Sequence, residues 1–227
     1  VRILDIGQTF GMPVASIYSP WKPEILASKD YDEVVDLLPT VDLVTFGGGQ
    51  DIHPSLYHHN NVSSYCGKTP SYRDLFESEV FKLCVRRNIP MVGICRGSQF
   101  LCAMSGGFLI QDAGHHALGP LGHEIITKTG ETLRMSSTHH QMMFPFTTEH
   151  ELVAWSPKRS QEYVYDIHGS FNVKWPNPWV DPEIVFFPKT RSLAIQGHPE
   201  YYDNVFAPPV KLSRSLTRQY FNLGEDL

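Results

Sequence analysis

The feature that constrains this chain most is the step from Ile89-Pro-Met-Val-Gly-Ile94 into Cys95-Arg96-Gly97. The first run is nearly all apolar, as expected of a central parallel strand buried on both faces. The stretch from Gly97 to Ser105 has helical character and is closed by Gly106-Gly107. Between them, Gly93-Ile-Cys95-Arg-Gly97 has the form of a nucleophile elbow. Such a turn from strand to helix is so sharp that small residues must flank it, and it throws the central side chain out above the sheet in a strained conformation. A chain with this element is committed to an α/β sheet whose site lies at the carboxyl ends of the strands.

The surrounding pattern agrees. Val1 to Gly7 reads as an opening strand with a glycine stop, and Val14 to Tyr18 as a second short extended piece. Tyr31 to Leu38 has helical spacing ended by Pro39, and Val41 to Phe46 is a strand running into Gly47-Gly48-Gly49. Residues 50–72 read as a long surface loop, and Arg73 to Arg87 carries a helical apolar stripe. The second half is richer in strand signals, at Phe108–Gln111, Glu124–Thr127, Leu152–Ala154, Ile184–Phe187 and Leu193–Gln196. The expected fold is α/β: a doubly wound, mostly parallel central sheet flanked by helices, with a smaller strand-rich part in the second half.

Composition removes several classes of function. Nineteen basic against 24 acidic residues leave a net charge of −5, which gives no support for a nucleic-acid binder. No apolar run approaches the roughly 20 residues of a membrane helix, and no basic-then-apolar leader opens the chain, so a cytoplasmic protein without membrane attachment is expected. The four cysteines, Cys66, Cys84, Cys95 and Cys102, form no CxxC pair and are expected to be free thiols. Cys84 falls on the apolar side of its helix, where an inert buried thiol is expected.

Cys95 has a different environment. At a helix N-terminus, free N–H groups and the helix dipole favour thiolate over thiol, and the N–H of Arg96 points to where an oxyanion would form. A nucleophilic thiol wants a base, itself held by a third group. Among 11 histidines, His198 in Gln196-Gly-His198-Pro-Glu200 has the best surroundings. Positions i and i+2 of an extended segment face one side, so Glu200 can hold the imidazole from behind. The glycines at 47–49 can complete an oxyanion hole; they lack a P-loop lysine and the spacing of a dinucleotide site.

These elements, in this order, resemble the class I glutamine amidotransferases, and within them the gamma-glutamyl hydrolase-like (peptidase C26-like) branch. The resemblance covers most of residues 40–202. It rests on Phe46-Gly-Gly-Gly-Gln-Asp-Ile-His-Pro54 with Tyr57, Arg73-Asp74 with Glu77, and Cys95-Arg-Gly-Ser-Gln99. It continues through Gly106-Gly-Phe-Leu-Ile-Gln-Asp112, Ser137-Thr-His-His-Gln141 and Gln196-Gly-His-Pro-Glu200. It implies an amidotransferase-like domain over residues 1–202, with 203–227 as a C-terminal extension, helical and packed on the same domain. By position it implies Cys95 as nucleophile, His198 as base and acid, and Glu200 as orienter. It places Gly48, with Gly49 as the alternative, beside Arg96 in the oxyanion hole. Gln99, His140 and Gln141 match positions that hold the α-amino and carboxylate end of glutamine, and Arg73 and Asp74 read as support near the pocket.

The implied activity is hydrolysis of the γ-amide of glutamine through a cysteine thioester, without a cofactor, the ammonia passing to a separate synthetase or ligase subunit. Hydrolysis of γ-glutamyl amines or peptides is the alternative, and a non-catalytic regulatory subunit is the second. Residues 60–72 and 162–181 follow no family pattern; the loop 50–72 and the stretch 162–181 are expected to wall the leaving-group side, where Tyr57, Tyr65, Tyr72, Tyr163, Tyr165, Trp175 and Trp179 could narrow it. His115, His116, His123 and the pair His139-His140 invite a metal reading. With no H-E-x-x-H, and with chemistry that needs no metal, none is expected.

Overall fold

The computed structural model describes residues 1–114, 116–157, 163–176 and 180–224. Along the chain run β1 (Arg2–Asp5), α1 (Ile6–Thr9), β2 (Glu24–Leu26), α2 (Tyr31–Leu37), β3 (Leu43–Phe46), α3 (Tyr72–Arg87), β4 (Met91–Ile94) and α4 (Arg96–Met104). Then come β5 (Phe108–Ile110), β6 (Ala117–Thr127), β7 (Thr132–Thr138), β8 (Met142–Phe144), β9 (Glu151–Ser156), β10 (Tyr163–Tyr165), β11 (Phe171–Lys174), β12 (Asp181–Phe187), β13 (Ser192–Ile195) and α5 (Pro208–Phe221). Among the described residues, nine strands join in one sheet in the order β2-β1-β3-β4-β13-β12-β9-β6-β7. From β2 to β13 the pairing is parallel, and from β13 to β7 it is antiparallel. Much of the strand-rich second half therefore extends the main sheet, while β5 pairs with β8 and β10 with β11 outside it.

Alternation along the parallel strands explains the layering. Leu4, Val44, Met91 and Ala194 feed one buried cluster; their neighbours Ile3, Leu43, Val92, Leu193 and Ile195 feed the other. Both faces are apolar because both are covered. Phe76, Val80 and Phe81 of α3 and Phe100 of α4 fill the first cluster. The second is closed by α5 through Val210, Leu216 and Phe221. Pro208 opens α5 at its first turn, where a missing N–H costs nothing, and Asn222 ends it in the left-handed region. Helix α3 begins with a capping box: Ser71 Oγ accepts from Asp74 N at 3.1 Å and an Asp74 carboxylate oxygen accepts from Ser71 N at 2.9 Å.

Two local expectations are corrected. The opening strand stops at Asp5, not Gly7, because the Asp5 carboxylate caps α1 by accepting from Gln8 N. Residues 14–18 are not extended; Ala15–Trp21 form a 3-10 turn. The reason is again Asp5, whose Oδ2 accepts from the N–H groups of Val14 and Ala15 at 2.8 and 2.9 Å and so gathers donors that a strand would offer to a neighbour. Buried Tyr18 then bonds Thr217 of α5 at 2.9 Å. Among the described residues, no helix is long and apolar enough to cross a membrane.

Candidate active site

Cys95 stands between β4 and α4 with φ 53° and ψ −109°, a conformation that L residues rarely adopt. The flanking glycines are sterically required. A Cβ on Gly93 would lie 2.3 Å from the Gly97 carbonyl oxygen, and one on Gly97 would lie 2.2 Å from that of Phe46. The turn is tied down by its own backbone: Cys95 N donates to Ile195 O at 2.9 Å, and Cys95 O accepts from Gln99 N at 3.1 Å and Ser98 Oγ at 2.6 Å.

Parallel pairing brings the second half of the site here. Ile195, at the end of β13, is in register with Ile94 at the end of β4, so the segment leaving β13 arrives beside the elbow. Its His198 is 2% exposed, and its Nδ1 lies 2.6 Å from Glu200 Oε1. Burial alone would pull the imidazole down, but hydrogen bonding to Cys95 and Glu200 outweighs it and raises His198 to about 10. The pair therefore favours imidazolium facing sulfur. Ser136 fixes the backbone, its Oγ accepting from His198 N at 3.0 Å and donating to His198 O at 2.9 Å. The Tyr201 ring stacks on the imidazole at 4.2 Å and 6°. Neither Ser136 nor Tyr201 was marked by the sequence, although Tyr201 lies only three residues from the histidine.

The glycine loop closes the third side. A Cβ on Gly48 would lie 3.1 Å from His198 Cε1, 3.2 Å from Met12 Cε and 3.8 Å from Cys95 Cβ. Arg73 donates to the carbonyls of Gly48 and Gly47 at 2.8 and 2.9 Å. In a trans peptide N–H and C=O point opposite ways, so this clamp turns the N–H groups of Gly48 and Gly49 away from Arg73. Glu77 holds the Arg73 Nε at 2.7 Å and also receives Arg96, which reaches Asp74 at 2.6 Å. Arg96 thus has two jobs: its backbone opens α4, and its buried side chain balances two buried carboxylates. Arg73 braces the glycine loop, Asp74 holds the Arg96 side chain, and Glu77 joins both arginines.

Gln99 lies one helical turn beyond Cys95, and its amide donates to Gln141 O at 3.1 Å. Gln141 is fully buried, with its own amide donating to Ser64 Oγ at 2.6 Å. His140 is held by Asp51, which the sequence reading did not single out, at 2.9 Å, and Tyr65 packs on its ring at 4.6 Å. Residues 60–66 therefore lie over the 139–141 segment, with Gln111 Oε1 accepting from Val62 N and Ser63 N. Trp175 is a packing residue, buried against Phe144. Glu162, Trp179 and His115 lie outside the described residues. A cavity of about 390 Å³ adjoins the loop, lined in part by Gly49, Asp51, Arg73 and Arg96. Cys84 and Cys102 are buried, as expected of inert thiols; burial pushes Cys84 up to about 12 and raises Cys102 further.

Strained cysteine, buried histidine, carboxylate and glycine loop at the carboxyl ends of parallel strands define a class I amidotransferase-like α/β protein. Comparison with known proteins agrees. The Peptidase C26 family model matches residues 22–124. The glutamine amidotransferase-like protein YvdE homolog of Lactococcus lactis subsp. cremoris is 30% identical over 130 residues, covering 49% of this chain and 69% of that protein. The gamma-glutamyl-CDP-amidate hydrolase of Campylobacter jejuni is 36% identical over 61 residues, 27% of this chain and 26% of the relative. A glutamine amidotransferase from Thermotoga maritima shares the fold with a TM-score of 0.58 at 14% identity, covering 96% of this chain and 84% of that one. The chain belongs to the class I glutamine amidotransferase and peptidase C26-like family.

Proposed function

We propose that this protein hydrolyses the γ-amide of glutamine through a thioester on Cys95. The observation that carries this reading is His198, tied to Glu200 at 2.6 Å and raised by its contact with Cys95 at the strained elbow. The Cys95 thiolate attacks the γ-carbonyl carbon, and the resulting oxyanion is received by the N–H of Arg96 and that of Gly48 or Gly49. The His198 imidazolium gives its proton to the departing nitrogen, and ammonia leaves. Neutral His198 then takes a proton from water, whose oxygen attacks the thioester; glutamate leaves and the thiolate returns. Glu200 accepts the Nδ1–H and holds the ring. Gln99 and Gln141 brace the pocket wall that carries His140, at the α-amino and carboxylate end of the substrate.

In this reading the ammonia passes to a synthetase or ligase subunit. A second reading, release of a larger amine from a γ-glutamyl amide, is favoured by the stretch shared with the Campylobacter hydrolase. The two separate in kcat/KM measured on the purified chain with glutamine, γ-glutamyl amines and γ-glutamyl peptides. The proposal expects glutamine to lead. A tenfold or larger preference for the bulky amides, about 1.4 kcal/mol in transition-state stabilisation, would reverse the assignment.

A further inference from the structure

Away from Cys95, three histidines and two carboxylates meet in a buried cluster between the strands of the antiparallel half. His116 precedes β6, His123 lies on β6, His139 follows β7, and Asp181 and Glu183 lie on β12. Each is at most 4% exposed. Three ring nitrogens converge on one oxygen: Glu183 Oε1 is 2.8 Å from His123 Nε2, 3.3 Å from His116 Nδ1 and 4.0 Å from His139 Nε2.

The outer partners orient two of those rings. An Asp181 carboxylate oxygen, 3.0 Å from His116 Nε2, accepts that N–H and turns Nδ1 to Glu183. The Gln141 carbonyl, 2.8 Å from His139 Nδ1, does the same for His139 and leaves Nε2 as a lone pair. Consistently, His116 Nδ1, His139 Nε2 and Glu183 Oε2 are buried without a hydrogen-bond partner. The His139 lone pair facing a carboxylate is repelled, and buried polar atoms without partners are costly. One cation at their centre removes both penalties.

We infer that His116, His123, His139 and Glu183 form a binding site for a divalent transition-metal ion, zinc in the first instance. Three imidazoles and one carboxylate are a donor set that suits zinc over calcium or magnesium. Ligand atoms around a tetrahedral zinc stand about 3.3 Å apart, given bonds of about 2.0–2.1 Å, so the distances from Glu183 Oε1 straddle that spacing. Asp181 and the Gln141 carbonyl are the outer groups that orient metal-bound imidazoles. The inference departs from the expectation of no metal, and four protein ligands make the site structural, leaving no open position for catalysis. Its place in the fold gives it a consequence. It ties β12 and β6 to the segment that carries Ser136, the clamp on His198, and His140 at the pocket wall.

The test reads metal, not turnover, so it stands whether or not the glutaminase assignment holds. Tag-free protein is analysed for zinc, then stripped with chelator and titrated with Co²⁺ and Zn²⁺. A parallel titration uses Cys95→Ser, which removes the catalytic thiol as a competing ligand. The expected results are one zinc per chain, a tetrahedral Co²⁺ absorption band that Cys95→Ser retains, and a rise in Tm of about 5 °C or more when zinc is restored. Glu183→Gln and His123→Asn should abolish the band, and Asp181→Asn should weaken metal affinity about 10–100-fold. Where a variant fails to fold, the zinc content and Tm shift of the wild-type chain decide the matter. Metal-free protein whose Tm zinc does not raise, a band lost in Cys95→Ser, or a band kept in Glu183→Gln would each overturn the site and leave a network held by protons alone.

Discussion

Replacing Cys95 by glycine and by alanine separates strain from chemistry, because both variants lack the thiol. At φ 53° and ψ −109° a residue with a Cβ carries strain of about 1–3 kcal/mol, which glycine avoids. Glycine in turn gives up about 0.5–1 kcal/mol of extra backbone entropy on folding. The difference leaves Cys95→Gly more stable than Cys95→Ala by about 1 kcal/mol, or about 2–4 °C in Tm for a chain of this size. Loss of the Sγ packing and of its contact with His198 is common to both and cancels. Neither variant should turn over substrate. Differential scanning calorimetry of the two, with glutamate release as the activity control, is the assay. If Cys95→Ala were the more stable, as alanine is at ordinary helix and strand positions, the elbow would hold no strain and the geometric basis of the site would fail.

Gly48→Ala puts a methyl group 3.1 Å from His198 Cε1 and 3.2 Å from Met12 Cε; kcat should fall about 10²–10³-fold, with a loss of about 1–3 kcal/mol in urea unfolding. His198→Ala should cost about 10²–10⁴-fold in kcat/KM. Glu200→Gln should cost less, since an amide oxygen still accepts the Nδ1–H; an equal loss would give Glu200 a role beyond orientation. His198 is raised in the folded state from 6.5 to about 10. Its stabilising contribution is therefore fully present below about pH 6.5 and lost as pH rises through about 10. The stability gap between wild type and His198→Gln should narrow across that window in pH-dependent denaturant titrations, and a gap that widened with pH would contradict the assigned ion pair.

The elbow was legible because its signal is local: Gly93 and Gly97 are dictated by backbone contacts of 2.3 and 2.2 Å that no Cβ survives. His198 and Glu200 were legible as a pair from their spacing, although Glu200 reaches the imidazole from the 3-10 turn Pro199–Tyr201 and not from an extended segment; register with β4 brings them to the elbow. What escaped was assembled from distant segments. Asp5 reorganises residues 14 and 15 from nine and ten positions away, so an apolar run that looks extended becomes a 3-10 turn. The strand Thr132–Thr138 went unmarked because serine, threonine and arginine interrupt its apolar signal, while its Ser136 and Ser137 are buried for their hydroxyl bonds. The histidine–carboxylate cluster draws on β6, β12 and the residues beside β6 and β7; its histidines invited a metal reading in the sequence, but Asp181 and Glu183, far along the chain, carried no signal.

The central claim is that Cys95 forms the covalent bond to the γ-carbonyl, and one measurement meets it directly. A diazoketone analogue of glutamine is incubated with the purified chain, and bound label is mapped by peptide mass spectrometry while residual activity is followed. The account predicts one equivalent at Cys95, with activity lost in proportion, and no label on Cys84 or Cys102, whose thiols are buried and raised. Label on Cys66, Cys84 or Cys102, or full labelling of Cys95 with activity intact, would contradict it.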